Sequence, residues 1–302
     1  MTWLTITAVS YLILAVVFLI DKYLLMGPIP NPKVYAFYSG TLGILILVFA
    51  PFVGFFVPSF SQIILSFAAG FLFIFGLYRF YKALQLYEPS RVVPAIGGLL
   101  PLFTFCLTFI FSKGEAVLGS RNLFAFLLLV LGSVLITYKS KELVSGASFR
   151  AAVFAALPFS FYMVFSKYVF LAQPFWNGLI WIRIGAFLGA LVFLFLFSEV
   201  KEEIFKRKQF VPKSPFLFFF NQGFGGAGNI LLNWAVALAP LAYVAVVNAL
   251  QGLQYAFLLL FAVFLSFKFP SILKEEISRD VISQKVIAIL LIGGGLILLT
   301  SR

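Results

Sequence analysis

Ten long, nearly uninterrupted apolar runs constrain this chain more than any other feature of its sequence. A helix rises 1.5 Å per residue and needs about 20 apolar residues to cross a hydrocarbon layer of about 30 Å. Of the 302 residues, 63% are hydrophobic and 11% charged, where a soluble domain carries about a quarter charged residues. Too little polar surface remains to wrap so many apolar helices in water. The runs are also too uniform for barrel strands, which alternate over about 10 residues. Helices, which satisfy their own backbone hydrogen bonds in lipid, are left.

The runs place span 1 from Trp3 to Leu25, span 2 from Val34 to Val57 and span 3 from Gln62 to Tyr87, closed by Pro89. Span 4 runs from Ser90 to Ser112, span 5 from Asn122 to Tyr138, span 6 from Phe149 to Ala172 and span 7 from Phe175 to Ser198. Span 8 covers Pro215 to Leu238 and is closed by Pro240; span 9 covers Leu241 to Phe267 and span 10 Val281 to Thr300. The expected fold is an all-α polytopic membrane protein of ten transmembrane helices. No connection is long enough for a soluble domain. The first run has no basic stretch ahead of it and is long enough to span, so it reads as a retained helix rather than a signal peptide.

The chain has no His and one Cys, Cys106, inside an apolar run. A disulfide framework is therefore excluded, as are His-based zinc sites, His general bases and Ser-His-Asp triads. No P-loop is present, so ATP coupling has no support. The expectation is a protein that is not an enzyme and uses no metal or cofactor. The net charge of +12 sits mainly between the apolar runs, which points to membrane orientation and anionic headgroups rather than nucleic acid.

The two halves resemble each other. Span 1 ends Asp21-Lys22-Tyr23 and span 6 ends Ser166-Lys167-Tyr168; in that register Gly40 falls on Gly185. Further along, Pro89 matches Pro240, Glu115 matches Glu276 and Gly132 matches Gly293, with the drift placed in the longer second-half loops. This divides one membrane domain into repeats 1–145 and 146–302. Five spans per repeat is odd, so the second repeat must cross the membrane in the opposite sense. Inverted repeats are a common construction of alternating-access carriers, with the substrate site near the midplane between them.

With this organisation, the chain resembles ten-helix members of the drug/metabolite transporter superfamily of the EamA-like type. The resemblance covers the whole chain. It rests on the five-plus-five repeat, on Ala83-Leu84, Pro89 and Pro101 through spans 3 and 4, and on Gly114-Glu115 ahead of Gly132. The second half echoes it with Glu275-Glu276 ahead of Gly293-Gly294-Gly295. The resemblance implies that spans 1, 3, 4, 6, 8 and 9 surround a central cavity, with 5 and 10 peripheral. It also implies metabolite export or exchange without ATP hydrolysis.

Connections after odd-numbered spans hold most of the 22 basic residues, while the opposite side holds Lys113, Arg121 and Arg302. Cytoplasmic loops concentrate Lys and Arg, so both termini are expected outside, in a plasma or inner membrane.

Polar groups within the spans are the candidate site. A charge at the bilayer centre costs at least about 2.5 kcal/mol and marks function by default. Arg183 lies eight residues into span 7, too deep to snorkel easily; it either faces a cavity or fixes packing. Lys22 and Lys167 occupy matching positions near span ends, where they either reach headgroups or guard opposite mouths of a cavity. Arg79 and Lys82 share a face of span 3, as mouth residues or interfacial anchors. Span 8 carries Gln222, Asn229 and Asn233 on one face, and span 9 adds Asn248, Gln251 and Gln254. These amides must find partners in lipid, by binding a substrate or by interhelical bonds worth about 0.6 kcal/mol each. Asn229 and Gln251 are the deepest. Pro94, Pro101 and Pro158 lie inside spans, where they can kink helices.

The deeper charges, Arg79, Lys82, Lys167 and Arg183 against Asp21, favour a secondary carrier of a small anionic or zwitterionic metabolite. A carrier of hydrophobic or cationic compounds is the alternative, and a lipid-acting enzyme or scaffold a weaker one. Asp21 and Glu88 are the carboxylates near spans that could carry a proton. Substrate identity, flux direction and oligomeric state are not written in the sequence.

Overall fold

The structure is a computed structural model that describes residues 2–26, 31–87, 89–138, 146–205, 215–268 and 279–300. The described residues are mostly helical, with short turns and irregular connections such as 53–59 and 112–119, and contain no strand. Helix α1 spans Thr2–Met26, α2 Pro32–Leu42, α3 Phe60–Leu86, α4 Pro89–Phe111, α5 Ser120–Thr137 and α6 Gly146–Ala172. Helix α7 spans Phe175–Leu196, α8 Ser198–Phe205, α9 Pro215–Leu238, α10 Val244–Ala249, α11 Gln251–Lys268 and α12 Arg279–Thr300. Eight spans are long and apolar enough to cross a membrane. Helix α5 is apolar but shorter, and α9, at 24 residues, is not among the eight because it carries four amides and four glycines. The molecule is an all-α integral membrane protein.

Local chemistry explains several boundaries. Asn31 caps α2 by accepting the Lys33 amide at 3.0 Å, and Pro32 occupies the first helical position, where no donor is needed. Helix α4 ends in a tight turn through Lys113 (φ 54°) and Gly114 (φ 86°), closed by the Gly114 amide on the Phe109 carbonyl at 2.9 Å.

Two expected spans are not single helices. Span 2 is an α-helix to Leu42 and then a 3-10 segment, Gly43–Phe52. At the junction Thr41 Oγ1 turns back onto the Phe37 and Tyr38 carbonyls, a contact that bends helices, and Pro51 removes a donor further on. Span 9 breaks at Leu250, between α10 and α11. The carbonyls freed there are taken by hydroxyls from other helices. Tyr11 donates to Val247 O at 3.0 Å and Ser133 to Ala249 O at 3.1 Å. Discontinuous backbone is tolerated at membrane depth under such conditions. The expected loop after span 7 also begins as a helix, α8. By contrast Pro94, Pro101 and Pro158 sit within continuous helices. Residues 206–214 and 269–278, with Glu88 and Glu275-Glu276, lie outside the described residues.

Helix α3 packs against α6 and α7, while α1 packs against α9 and α11. Helix α4 lies between α6, α5 and α10; α2 rests on α7; and α5 pairs with α12. Glycines set the closest approaches. A Cβ on Gly70 would strike the backbone of α7 at Ile182 and Ala186, and one on Gly185 would strike the backbone of α3 at Phe67. On the α5–α12 contact, Gly132 faces Ile292 and Gly295 faces Leu129. Gly293, which the sequence register sets against Gly132, lies off this contact: a Cβ there would meet nothing within 4 Å.

Candidate functional site

A cavity of about 600 Å³ lies between α1, α2, α3, α4, α6, α7, α9, α10 and α11. Helices α5 and α12 contribute no lining residue. Its walls are mostly apolar and aromatic, with convergent polar groups, the usual make-up of a small-molecule site.

Arg183 reaches this cavity from α7 and is 7% exposed. Its guanidinium lies 5.2 Å from the centre of the Phe73 ring. Gly43, the first residue of the 3-10 segment, leaves room beside it: a Cβ there would sit 3.7 Å from Arg183 Cδ. Among the described residues no carboxylate is within ion-pair distance of Arg183. An ion pair joins Lys33, near the start of α2, to Glu199 on α8 at 2.6 Å, and that hydrogen bond holds the Glu199 carboxyl below its usual range. A buried cation without a counter-charge is costly unless a ligand supplies one.

The amides fall into three groups. Gln222, Asn229, Asn248, Gln251 and Gln254 all line the cavity. Gln251 does so with its amide unengaged by any described residue. Asn248 donates to Thr104 Oγ1 at 2.7 Å, while its own Oδ1 is buried without a partner. Gln222 donates to Ser39 Oγ at 3.3 Å and Gln254 to the Leu14 carbonyl at 3.2 Å. Asn233 does not reach the cavity. It is fully buried and donates to the Tyr162 hydroxyl at 2.7 Å and the Asn229 carbonyl at 2.8 Å, fixing the wall behind Asn229.

The remaining basic candidates stand elsewhere. Lys167 is 2% exposed and turned away from the cavity; its Nζ donates to the Ala237 and Ala239 carbonyls at 2.9 and 2.6 Å. It is a clamp on the C-terminal end of α9, where unpaired carbonyls and the helix dipole favour a cation, and neither a headgroup anchor nor a mouth guard. Arg79 lies over the Phe154 ring at 4.8 Å and Lys82 beside the Tyr78 ring at 5.9 Å, both off the cavity. Lys22 lies on α1, and its side chain falls outside the described residues.

The cavity also holds a carboxylate that the sequence offered as a candidate proton carrier and not as a binding residue. Asp21 Oδ1 accepts from the Tyr35 hydroxyl and from Asn221 Nδ2 at 2.6 Å, and Oδ2 accepts from the Tyr81 hydroxyl at 3.1 Å. All its described partners are neutral, and Asp21 and Asn221 both line the cavity. Along α2, Tyr35, Ser39 and Gly43 follow at four-residue steps and touch Asp21, Gln222 and Arg183 in turn. Eight residues, a helical rise of about 12 Å, separate the Asp21 end of this stripe from the Arg183 end. Sequence spacing did not select Asn221: at about 100° per residue it lies roughly 80–120° round α9 from Asn229 and Asn233, whereas Gln222 lies within about 20° of both. No His/Cys/Asp/Glu group that could hold a metal occurs among the described residues.

No family model matches the chain, and no curated protein matches it. A crystal structure described only as that of a protein superposes on it with a TM-score of 0.68 at 18% sequence identity. The match covers 99% of this chain and 96% of the other. This likeness carries the fold across the whole chain and nothing about its activity.

Proposed function

We propose that the chain is a secondary carrier of a small anionic or zwitterionic solute, working by alternating access between two inverted five-helix repeats of the EamA-like type. The observation that carries this reading is Arg183: a deeply buried guanidinium, without a described counter-charge, opening onto a cavity lined by amides. An anionic group would complete its coordination, and Gln251 and the unpaired Asn248 Oδ1 would engage the neutral or cationic remainder. Asp21, at the far end of the α2 stripe, favours a zwitterion over a plain anion.

The packing supports the repeat. Under an exchange of spans 1–5 with 6–10, the α3–α6 contact becomes α9–α1, and both are extensive. The α2–α7 and α5–α12 contacts map onto themselves. At the latter the reciprocal pairs Gly132–Ile292 and Gly295–Leu129 are what a twofold axis would generate. The loop charges continue to favour both termini outside.

Counterflow in proteoliposomes and thermal stabilisation of the purified protein by anionic, zwitterionic and cationic metabolites test the reading, because a ligand of the folded state raises its apparent stability. Arg183→Gln is expected to lower affinity for the active ligand by a factor of ten or more, on the order of one charge-assisted hydrogen bond. Arg183→Lys would restore part of it, since an ammonium keeps the charge but loses the planar fork. Undiminished binding in Arg183→Gln would sink the proposal. The alternative, a cationic substrate, is favoured by Asp21 with its two tyrosines; it predicts instead that Asp21→Asn abolishes binding while Arg183→Gln does not.

A further inference from the structure

The cavity is closed towards both ends of α2 and α9 but open between them. At one end the gap is bridged by the Gln222–Ser39 hydrogen bond and by Asn221, which donates to Asp21 and to the Tyr35 hydroxyl. At the other end a row of rings crosses it: Phe49 stacks on Trp176 at 5.8 Å, Trp176 meets Phe175 at 5.3 Å, and Phe175 stacks on Trp234 at 5.7 Å. Between these closures, Leu45 lines the cavity and is 62% exposed on the outside of the molecule. On α9 the facing positions are Gly223 and Gly226, where an added Cβ would meet nothing within 4 Å. The opening lies near the middle of both membrane-length elements, Pro32–Phe52 and Pro215–Leu238. At that depth the surrounding medium is acyl chain rather than water.

We infer that this opening is a lateral window to the bilayer and that the substrate is an amphipathic anion, with its charged head on Arg183 and its apolar tail leaving through the gap between α2 and α9. Charge complementarity fixes the head, because Arg183 has no described counter-ion. The geometry fixes the tail: a solute confined to water has no use for an opening at mid-membrane depth framed by Leu45, Gly223 and Gly226. Gly223 and Gly226 leave the α9 side of the passage smooth, so a chain can lie against the helix backbone. This inference rests on the carrier reading and narrows its substrate class.

The test uses the full-length protein in lipid nanodiscs and short- and long-tailed anions with the same head: ethyl and octyl phosphate, and propionate and nonanoate as the carboxylate pair. Thermal stabilisation reads binding at equal aqueous concentration. For at least one pair the wild type is expected to bind the long-tailed anion about tenfold or more tighter, because the tail concentrates it in the leaflet and is accommodated by the window. Gly223→Trp and Gly226→Trp, two substitutions into open space, should bring that long-to-short ratio down towards one, and Arg183→Gln should weaken both members of the pair. If short anions bind through Arg183 but the long tail brings no gain, or the gain survives both Trp substitutions, the lateral window is wrong and the carrier reading stands. If no anion, zwitterions included, binds in an Arg183-dependent way, the carrier reading itself fails and the window falls with it.

Discussion

The seam between α3 and α7 and the gap between α2 and α9 are counterparts under the proposed repeat, yet they are built in opposite ways. At the seam, Gly70 and Gly185 let two backbones touch, and no side chain stands between them. At the gap, glycines again occupy one wall, but Gly223 and Gly226 face empty space and a few polar contacts hold the helices at one end. Small residues thus do two jobs here: in one place they permit contact and in the other they keep a passage clear. The difference marks which interface is closed in this conformation, and it identifies the gap as the one with room to move. In the reciprocal state of an alternating carrier the α2–α9 gap would close and the α3–α7 seam would loosen.

The sharpest way to break this comparison is to add the same side chain to both places. Gly70→Val drives methyl groups into the backbone of α7 and should cost about 3 kcal/mol, the upper range for overpacking. Gly223→Val should change stability by no more than about 0.5 kcal/mol, as at an unconstrained surface position. Thermal unfolding in nanodiscs reads both, and equal losses would mean that the two interfaces are packed alike.

Two further substitutions separate the ends of α9. Lys167→Met removes the donor to Ala237 and Ala239 and leaves buried carbonyls unpaired, a loss of about 2 kcal/mol. It should leave the affinity for a ligand held by Arg183 unchanged, which distinguishes a clamp from a binding group. Asn221→Ala removes one donor to Asp21 at the other end, about 1.5 kcal/mol, the lower range for a hydrogen bond to a charged group. Hydrogen exchange should then rise in the first half of α9 and not in the second, because the clamp remains.

The smallest effect concerns the Lys33–Glu199 pair. The hydrogen bond from Lys33 depresses the Glu199 carboxyl, so its contribution is present above the usual carboxylate range and is lost as pH falls through the lowered folded-state value. The Glu199 side chain is 45% exposed, which limits the contribution to less than about 1 kcal/mol. Unfolding curves of the wild type and Glu199→Gln should differ slightly at neutral pH and converge in acid. A constant offset across the whole range would show that this contact acts through packing alone.

Much of the helix order was legible because hydropathy reports it directly: α1, α3, α4, α6 and α7 begin and end within a few residues of the apolar runs. Breaks inside spans were less legible. The change to a 3-10 segment at Gly43 depends on Thr41 bonding back to its own helix, and the break at Leu250 depends on hydroxyls from α1 and α5. Both are events between groups that no single window of sequence contains. In the site, Arg183 and most of the amides were visible by type and depth. Lys167 was misjudged because its distance from the span end does not disclose that the end of α9 lies against it. Asp21 was read as a candidate proton carrier and left out of the binding set; its place at the cavity depends on α1 lying along α9, which no window of sequence shows.

The hydroxyl of Ser133 on the Ala249 carbonyl has a consequence beyond local bonding. Helix α5 contributes no residue to the cavity lining, yet it anchors the joint at which α10 hands over to α11, next to Gln251. An outer helix with no ligand contact thereby acts as a tuning peg for the chamber. Alterations in the α5–α12 pair, remote from any solute, should therefore be felt as changes in selectivity before they are felt as changes in fold.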